Sequence, residues 1–461
     1  MNPARYLLLL ASAGCLLELA RAGGETERVK NPTLASALGG LPAEWTAWLP
    51  EWSGAQVTLA GANPGLRVSG GTNAFAVGGV VQELAGIQGG QAYAVRVRCE
   101  MQAIPNPRQS VLVRMTWQRG AEVLHPAGVL IRGPQVTGTV GEFRDVVVAP
   151  AGADRARLSL ELKWPRGGAV IWRGVSVTPT SPPATRRVRL GTAYLKPDRS
   201  TPERNLDLWC EQVASAGRLH LDAVCLSEAI RSPGTSASAT SLAETVPGPT
   251  TERLGSAARG AGLWVVAGVY EVDAGILYNT AVLLDRQGRL AGEYRKVHLP
   301  REEWQKGIRP GDDYPVFSTD FGTIGIMVCY DYFFPETTEI LAQRGAEIVF
   351  APTWGTTFAD QDGRVEGQSI FRVRARDNGV YLVTSVYDGE SMVIDPLGRV
   401  VASNHGATGV FWAETDLAVR EPLWWVGHWG SIGVRDRLPE SYRWLTVPRE
   451  EPAATPGRPT D

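Results

Sequence analysis

The sequence predicts two units of different class: an all-β sandwich followed by an α/β domain. Three observations predict it. The chain has 461 residues, more than one ordinary hydrophobic core accommodates, so two domains are expected. Residues 30–177 show short β-type runs separated by Gly, Pro and Asn, without helical periodicity, which is the pattern of antiparallel layers. Residues 186–447 alternate short apolar runs with helix-spaced segments, the pattern of strands joined by helices.

The chain opens on an address. Arg5 supplies a positive start, residues 6–17 are almost wholly apolar, and Ala20-Arg21-Ala22 has the small-x-small form cut by signal peptidase. A signal peptide over 1–22, cleaved after Ala22, implies a secreted or periplasmic protein. Ser12-Ala13-Gly14-Cys15 offers a minor alternative, lipid attachment at Cys15, although Ser12 stands where such a box normally has Leu. No later segment approaches the roughly 18 apolar residues of a membrane span.

Strands are expected at 92–98, 111–117 and 157–162 of the first unit. In the last, Arg157-Leu158-Ser159-Leu160-Glu161-Leu162 alternates strictly, as a strand with one wet face does. Thr178-Pro179-Thr180-Ser181-Pro182-Pro183-Ala184-Thr185 reads as an extended linker over 178–185. A helix is expected over 203–216, with Leu206, Trp209, Cys210 and Val213 on one face and Gly217 as its C′ glycine. Strands follow at 223–226, 263–269, 280–284, 323–328, 348–351 and 380–384. Helices at 335–344 and 366–378 are each followed by glycine, Gly345 and Gly379. The tail at 448–461 is rich in Pro, Glu and Thr and is expected to be disordered.

Composition excludes several function classes. Forty-six Lys+Arg against 48 Asp+Glu give no electrostatic reason to expect a nucleic-acid surface. The five histidines (His125, His220, His298, His405 and His428) lack metal-ligand spacing, so no metal site is expected. Five cysteines are too few to staple a chain of this size. Export would leave Cys99, Cys210, Cys225 and Cys329. An oxidising compartment permits a Cys210–Cys225 disulfide, but two small buried hydrophobes is the favoured reading.

Three reactive residues each stand just after an apolar strand, where loops converge in α/β sheets. Glu228 follows Ala223-Val224-Cys225-Leu226-Ser227. Lys296 follows 290–294, and Cys329 follows Gly322-Thr323-Ile324-Gly325-Ile326-Met327-Val328. Each residue alone is commonplace, but together they form a chemical set. A thiolate attacks an electrophilic carbon, a carboxylate relays protons, and an ammonium favours both the thiolate and a developing oxyanion.

Those residues and their flanks resemble the nitrilase superfamily of carbon–nitrogen hydrolases. The resemblance includes Tyr294-Arg295-Lys296-Val297-His298-Leu299, Pro310-Gly311-Asp312, Cys329-Tyr330-Asp331 and Phe334-Pro335-Glu336. It continues through Arg374-Ala375-Arg376-Asp377-Asn378 and Asp395-Pro396-Leu397-Gly398-Arg399, and spans about 187–418. It implies a four-layer α-β-β-α sandwich, commonly paired into a homodimer or higher homo-oligomer. No metal or organic cofactor is implied.

The resemblance also implies roles. Cys329 would form a thioester with the acyl part of a small amide-type substrate, and Glu228 would act as general base and acid. Lys296 and the backbone N–H of Tyr330 would stabilise the oxyanion. A second family glutamate falls on Glu302 or Glu303; Glu303 is preferred because an aromatic residue follows it directly. Trp354 is either a substrate-contacting residue or a core aromatic, and His298 is read as structural. Tyr330-Asp331 after the nucleophile, where the nitrile-cleaving branch typically has Trp-Glu, points to amide or N-carbamoyl substrates. Two alternatives stand beside this reading: a carbohydrate-binding or scaffold protein with an inactive hydrolase fold, and an N-acyltransferase using the same triad.

More loosely, Trp45, Trp48, Trp52, Gly79-Val80-Val81-Gln82-Glu83-Leu84 and the closing Val170-Ile171-Trp172-Arg173-Gly174-Val175-Ser176-Val177 resemble a jelly-roll carbohydrate-binding module. A glycan ligand is what that resemblance implies; a purely structural sandwich is the alternative.

Overall fold

The computed structural model describes residues 26–36, 40–61, 64–355 and 366–447. The expected signal peptide, with Cys15 and Ala22, and the expected tail at 448–461 lie outside them.

The first unit consists of two six-stranded antiparallel sheets. One is centred on Val77–Leu84, Arg155–Lys163 and Val111–Arg119; the other is centred on Ala169–Thr180, Ala92–Gln102 and Val140–Val148. Strand alternation sends one side of each sheet inward. Val80, Leu160 and Val113 of the first sheet share a core with Val97, Phe143 and Trp172 of the second. Trp45 is buried in this core, whereas Trp48 and Trp52 are exposed.

The linker expectation needs a correction. Thr178, Pro179 and Thr180 pair in register with Ala94, Tyr93 and Ala92, so the extended connection begins only at Ser181. Proline is tolerated there because the strand's other neighbour, Leu66–Ser69, pairs only as far as Trp172. Beyond it residues 27–32 bond that side only as far as Val177, so Pro179 stands where a missing N–H does no harm.

The second unit also contains two six-stranded sheets, now mixed. The first runs in the order Leu290–Arg295, Ile276–Leu284, Trp264–Asp273, Ala223–Cys225, Arg187–Tyr194, Gly409–Asp416. The second runs Val316–Ser318, Thr323–Ile326, Ile348–Gly355, Tyr381–Asp388, Met392–Ile394, Val400–Ser403. The central strands of each are parallel, and their side chains divide by parity. Ala223, Cys225 and Val266 meet Ile326, Phe350 and Val383 between the sheets. Val224 and Val265 face outward against Trp209, Val213 and Leu254 of the helices Pro202–Arg218 and Pro249–Ala261. Val349 and Leu382 likewise pack on Leu341, Phe371 and Ala375 of the helices Pro335–Gln343 and Glu366–Asn378. Burial on both faces explains why 223–226 is a continuous apolar run rather than an alternating one.

Helix punctuation followed expectation at two sites and departed from it at one. Gly345 and Gly379 take left-handed φ of 102° and 63° after their helices, the conformation that glycine adopts without strain. Gly217 instead lies inside the helix Pro202–Arg218. A Cβ there would stand 2.7 Å from the Cβ of Ala261, so this glycine serves close packing against the neighbouring helix. Its sequence position near the helix end mimics a cap. Cys99, Cys210, Cys225 and Cys329 are all free thiols; Cys225 is buried as expected, whereas Cys210 is only partly buried.

Candidate active site

The strand ends bring the three expected reactive residues together. The chain carrying Glu228 leaves Ala223–Cys225 and passes so close to Gly268 that a Cβ there would lie 2.6 Å from the Glu228 Cα. Lys296 follows Leu290–Arg295 and is held at both backbone groups: its N–H donates to Asn279 O at 2.8 Å, and its carbonyl accepts from Gly311 N at 2.9 Å. Cys329 opens the short 3-10 turn Cys329–Phe333 with φ of +44°. A non-glycine residue in that region is strained and persists only where its surroundings impose it.

Asp331 supplies that constraint. Its buried carboxylate accepts from Val328 N at 2.9 Å and Tyr294 OH at 2.7 Å, and from His298 N at 2.9 Å. The ring Nδ1 of His298 lies 2.9 Å from the same carboxylate, and the ring stacks on Phe334 at 3.7 Å. Asp331 thus fastens the Cys329 turn to the lysine loop, and His298 is bound up in that fastening. Arg374 closes the other side, donating to the carbonyls of Tyr332 and Phe333.

Inside the site, Lys296 Nζ donates to Oε1 of Glu228 at 2.8 Å and to Oε1 of Glu303 at 2.9 Å. The side-chain amide of Asn279 donates to the same two oxygens, at 2.7 and 2.8 Å. Glu228 and Lys296 are almost fully buried. Glu303 reaches Lys296 from the short helix Arg301–Trp304, whereas Glu302 is exposed. Oε2 of Glu228 and Oε2 of Glu303 are buried and have no hydrogen-bond partner among the described residues.

Trp354 stands at the end of Ile348–Gly355, 38% exposed, with its ring 5.2 Å from that of Tyr387. Its backbone N–H points to the Cys329 thiol. The Tyr330 ring lies against Phe333 and Phe334.

Electrostatics modify one expectation. Lys296 is held well above the usual ammonium range although burial opposes its charge, because Glu228, Cys329 and Glu303 surround it. The ammonium was expected to favour a resting thiolate. Burial and the Glu228 carboxylate prevail instead, pushing the Cys329 thiol up to about 12 against Lys296 and the Trp354 N–H. The thiol therefore holds its proton at neutral pH and needs a base to react. Burial also raises Glu303 to about 7, opposed by Lys296 and helped by Glu228.

The sequence reading missed Asn279, the role of Asp331, and Tyr270, whose hydroxyl is driven up by burial and by Glu228 and Glu303. Asn279 stands two residues before the apolar run Ala281-Val282-Leu283-Leu284, a position that carries no hint of its partners.

The family model described as carbon-nitrogen hydrolase matches residues 189–423. Omega-amidase NIT2-A of Xenopus laevis is 31% identical over 232 residues, covering 46% of this chain and 83% of that protein. Omega-amidase NIT2 of Homo sapiens is 30% identical with the same coverage. Among solved structures, an amidase from Nesterenkonia sp. is 23% identical with a TM-score of 0.47, covering 56% of this chain and 96% of that one. The extent of the family match and the identity to these relatives show that the chain belongs to the carbon–nitrogen hydrolase family, within the nitrilase superfamily that its motifs resemble.

Proposed function

We propose that this chain hydrolyses primary amides, including N-carbamoyl groups, through a thioester on Cys329. The observation that carries the reading is the pair of buried oxygens that neither Lys296 nor Asn279 engages, Oε2 of Glu303 and Oε2 of Glu228, in the cluster that faces the Cys329 thiol. A buried acceptor without a donor is costly, and a primary amide brings two N–H donors. A nitrile brings none. The printed names of the relatives, omega-amidases, support the same class.

In this reading Glu228 takes the thiol proton as sulfur bonds to the amide carbon. The oxyanion is met by Lys296 Nζ and the Tyr330 N–H. Glu228 then passes the proton to the departing nitrogen, and ammonia leaves as the C–N bond breaks. A water molecule, deprotonated by Glu228, attacks the thioester; the acid departs and Cys329 regains its proton. The test is a matched amide and nitrile sharing one side chain, compared by kcat/KM, with Cys329→Ala as control. The amide should be preferred, and a clear preference for the nitrile would overturn the substrate assignment while leaving the triad in place.

The finer structural expectations belong to the same proposal. We read the helix-covered sheet pair as the four-layer α-β-β-α sandwich, usually a dimer in this family, and the first unit as a jelly roll. Export rests on the sequence of residues 1–22. The exposed Trp48 and Trp52, with Phe75 at 68% exposure, support glycan binding by the first unit. Loss of polysaccharide binding on replacing Trp52 would bear this out; no binding across polysaccharides would leave a structural sandwich.

A further inference from the structure

We infer that Asn279 is a positioning residue of this site: its side-chain amide binds both carboxylates, lets one ammonium serve two acids, and orients the free oxygen of each. The inference rests on the proposed roles of Glu228 and Cys329, and goes beyond them to a residue outside the triad.

The geometry is a closed ring. Nδ2 of Asn279 has two hydrogens, and both are used, on Oε1 of Glu228 and Oε1 of Glu303. Two of the three Lys296 ammonium hydrogens go to the same oxygens, and the third is free for a developing oxyanion. Each Oε1 is thereby doubly bonded and pinned, and each Oε2 is left over. The amide orientation is forced, since turning Oδ1 toward two carboxylates would set acceptor against acceptor. Oδ1 itself has no partner among the described residues, so nothing else on the side chain competes for its placement.

Charge explains why an amide is suited to this position. Two carboxylates share one ammonium in a site where Glu228, Lys296 and Asn279 are almost fully buried. An acid here would add a third negative charge, whereas a carboxamide contributes two donors without altering the balance. The backbone of the same residue accepts from Lys296 N at 2.8 Å. Asn279 therefore sets the lysine through its main chain and the carboxylates through its side chain, from one point on the strand Ile276–Leu284. The other ionisable groups facing the carboxylates are Cys329, Tyr270 and Tyr387, and all three are held in the protonated form.

The experiment is the pH profile of Cys329 alkylation by iodoacetamide, read by peptide mass spectrometry on the full chain. It needs no amide substrate, so it can succeed even if the amide reading fails. Removing two donors makes the carboxylate pair harder to ionise. Asn279→Ala should therefore move the acid-side midpoint up by about one pH unit, and the isosteric Asn279→Asp should move it further. Alkylation at pH 7 should slow about tenfold or more, with melting temperatures near wild type. A midpoint unchanged in a folded variant overturns the inference. If Ala fails to fold, Asp decides. Failure of both marks Asn279 as a residue of the fold and overturns it as well.

Discussion

Cys329 keeps its proton at rest, so its reactivity depends on Glu228 more than on Lys296. Glu228→Gln should slow alkylation of Cys329 at pH 7 by about 10²-fold or more, with the fold intact by circular dichroism. Alkylation at an unchanged rate would show that the thiolate forms without that base. Cys329→Ala should abolish turnover and leave thermal unfolding near wild type. Glu303 makes a separate prediction through linkage. Its pKa is raised from 4.5 to about 7 in the folded state, so the native protein binds more protons than the unfolded chain between those values. Its contribution to stability is thus present at low pH and lost as pH rises through about 7. The stability difference between wild type and Glu303→Gln should decline from pH 4.5 to 7, by at most about 3 kcal/mol. Parallel curves from chemical denaturation would sink the assignment. At this scale, the proposed triad was legible because strand-end position and flanking motif coincide in sequence. Asn279 was not, because a hydrogen bond across 51 positions to Glu228 leaves no local pattern.

At the scale of elements, two glycines show what a sequence position conceals. Gly217→Ala would ordinarily gain up to about 1 kcal/mol of helix propensity. The new Cβ would press on Ala261 Cβ at 2.7 Å and its Cα at 2.9 Å, and overpacking of this kind costs about 1–3 kcal/mol. A net loss is expected in urea unfolding, and a stabilised variant would show that Gly217 is a cap after all. Gly268→Ala places its Cβ against backbone, the Cα of Glu228 at 2.6 Å and the N of Ala229 at 2.8 Å. Because backbone has to move, activity should fall by more than stability does, compared through kcat/KM and melting temperature. The expected strands and helices were recognisable from period and punctuation. The function of each glycine was not, since close approach depends on a partner element that local sequence does not name.

At the scale of the whole molecule, the segment after residue 418 ties the two units together. Arg420 pairs with Asp145 at 3.0 Å and Lys163 with Asp436 at 2.7 Å, while Val426 covers Leu112 and Leu130. Arg435, buried, donates to the carbonyls of Ile131 and Gly133, and Arg437 pairs with Glu339 of the hydrolase unit. A chain ending at Ala418 should therefore show a larger radius of gyration by small-angle scattering, with the first unit released. An unchanged radius would mean that other contacts hold the units. By itself the sequence determined the two fold classes, the family and the three residues expected to react. Each of these is written in local signals: periodicity, turn residues, and short motifs at strand ends. Only tertiary structure decided which glutamate reaches Lys296, that Asp331 and Asn279 organise the site, and that the C-terminal segment bridges the units. Those outcomes depend on distances between residues far apart in the chain, where burial turns a hydrogen bond or a charge into a strong constraint.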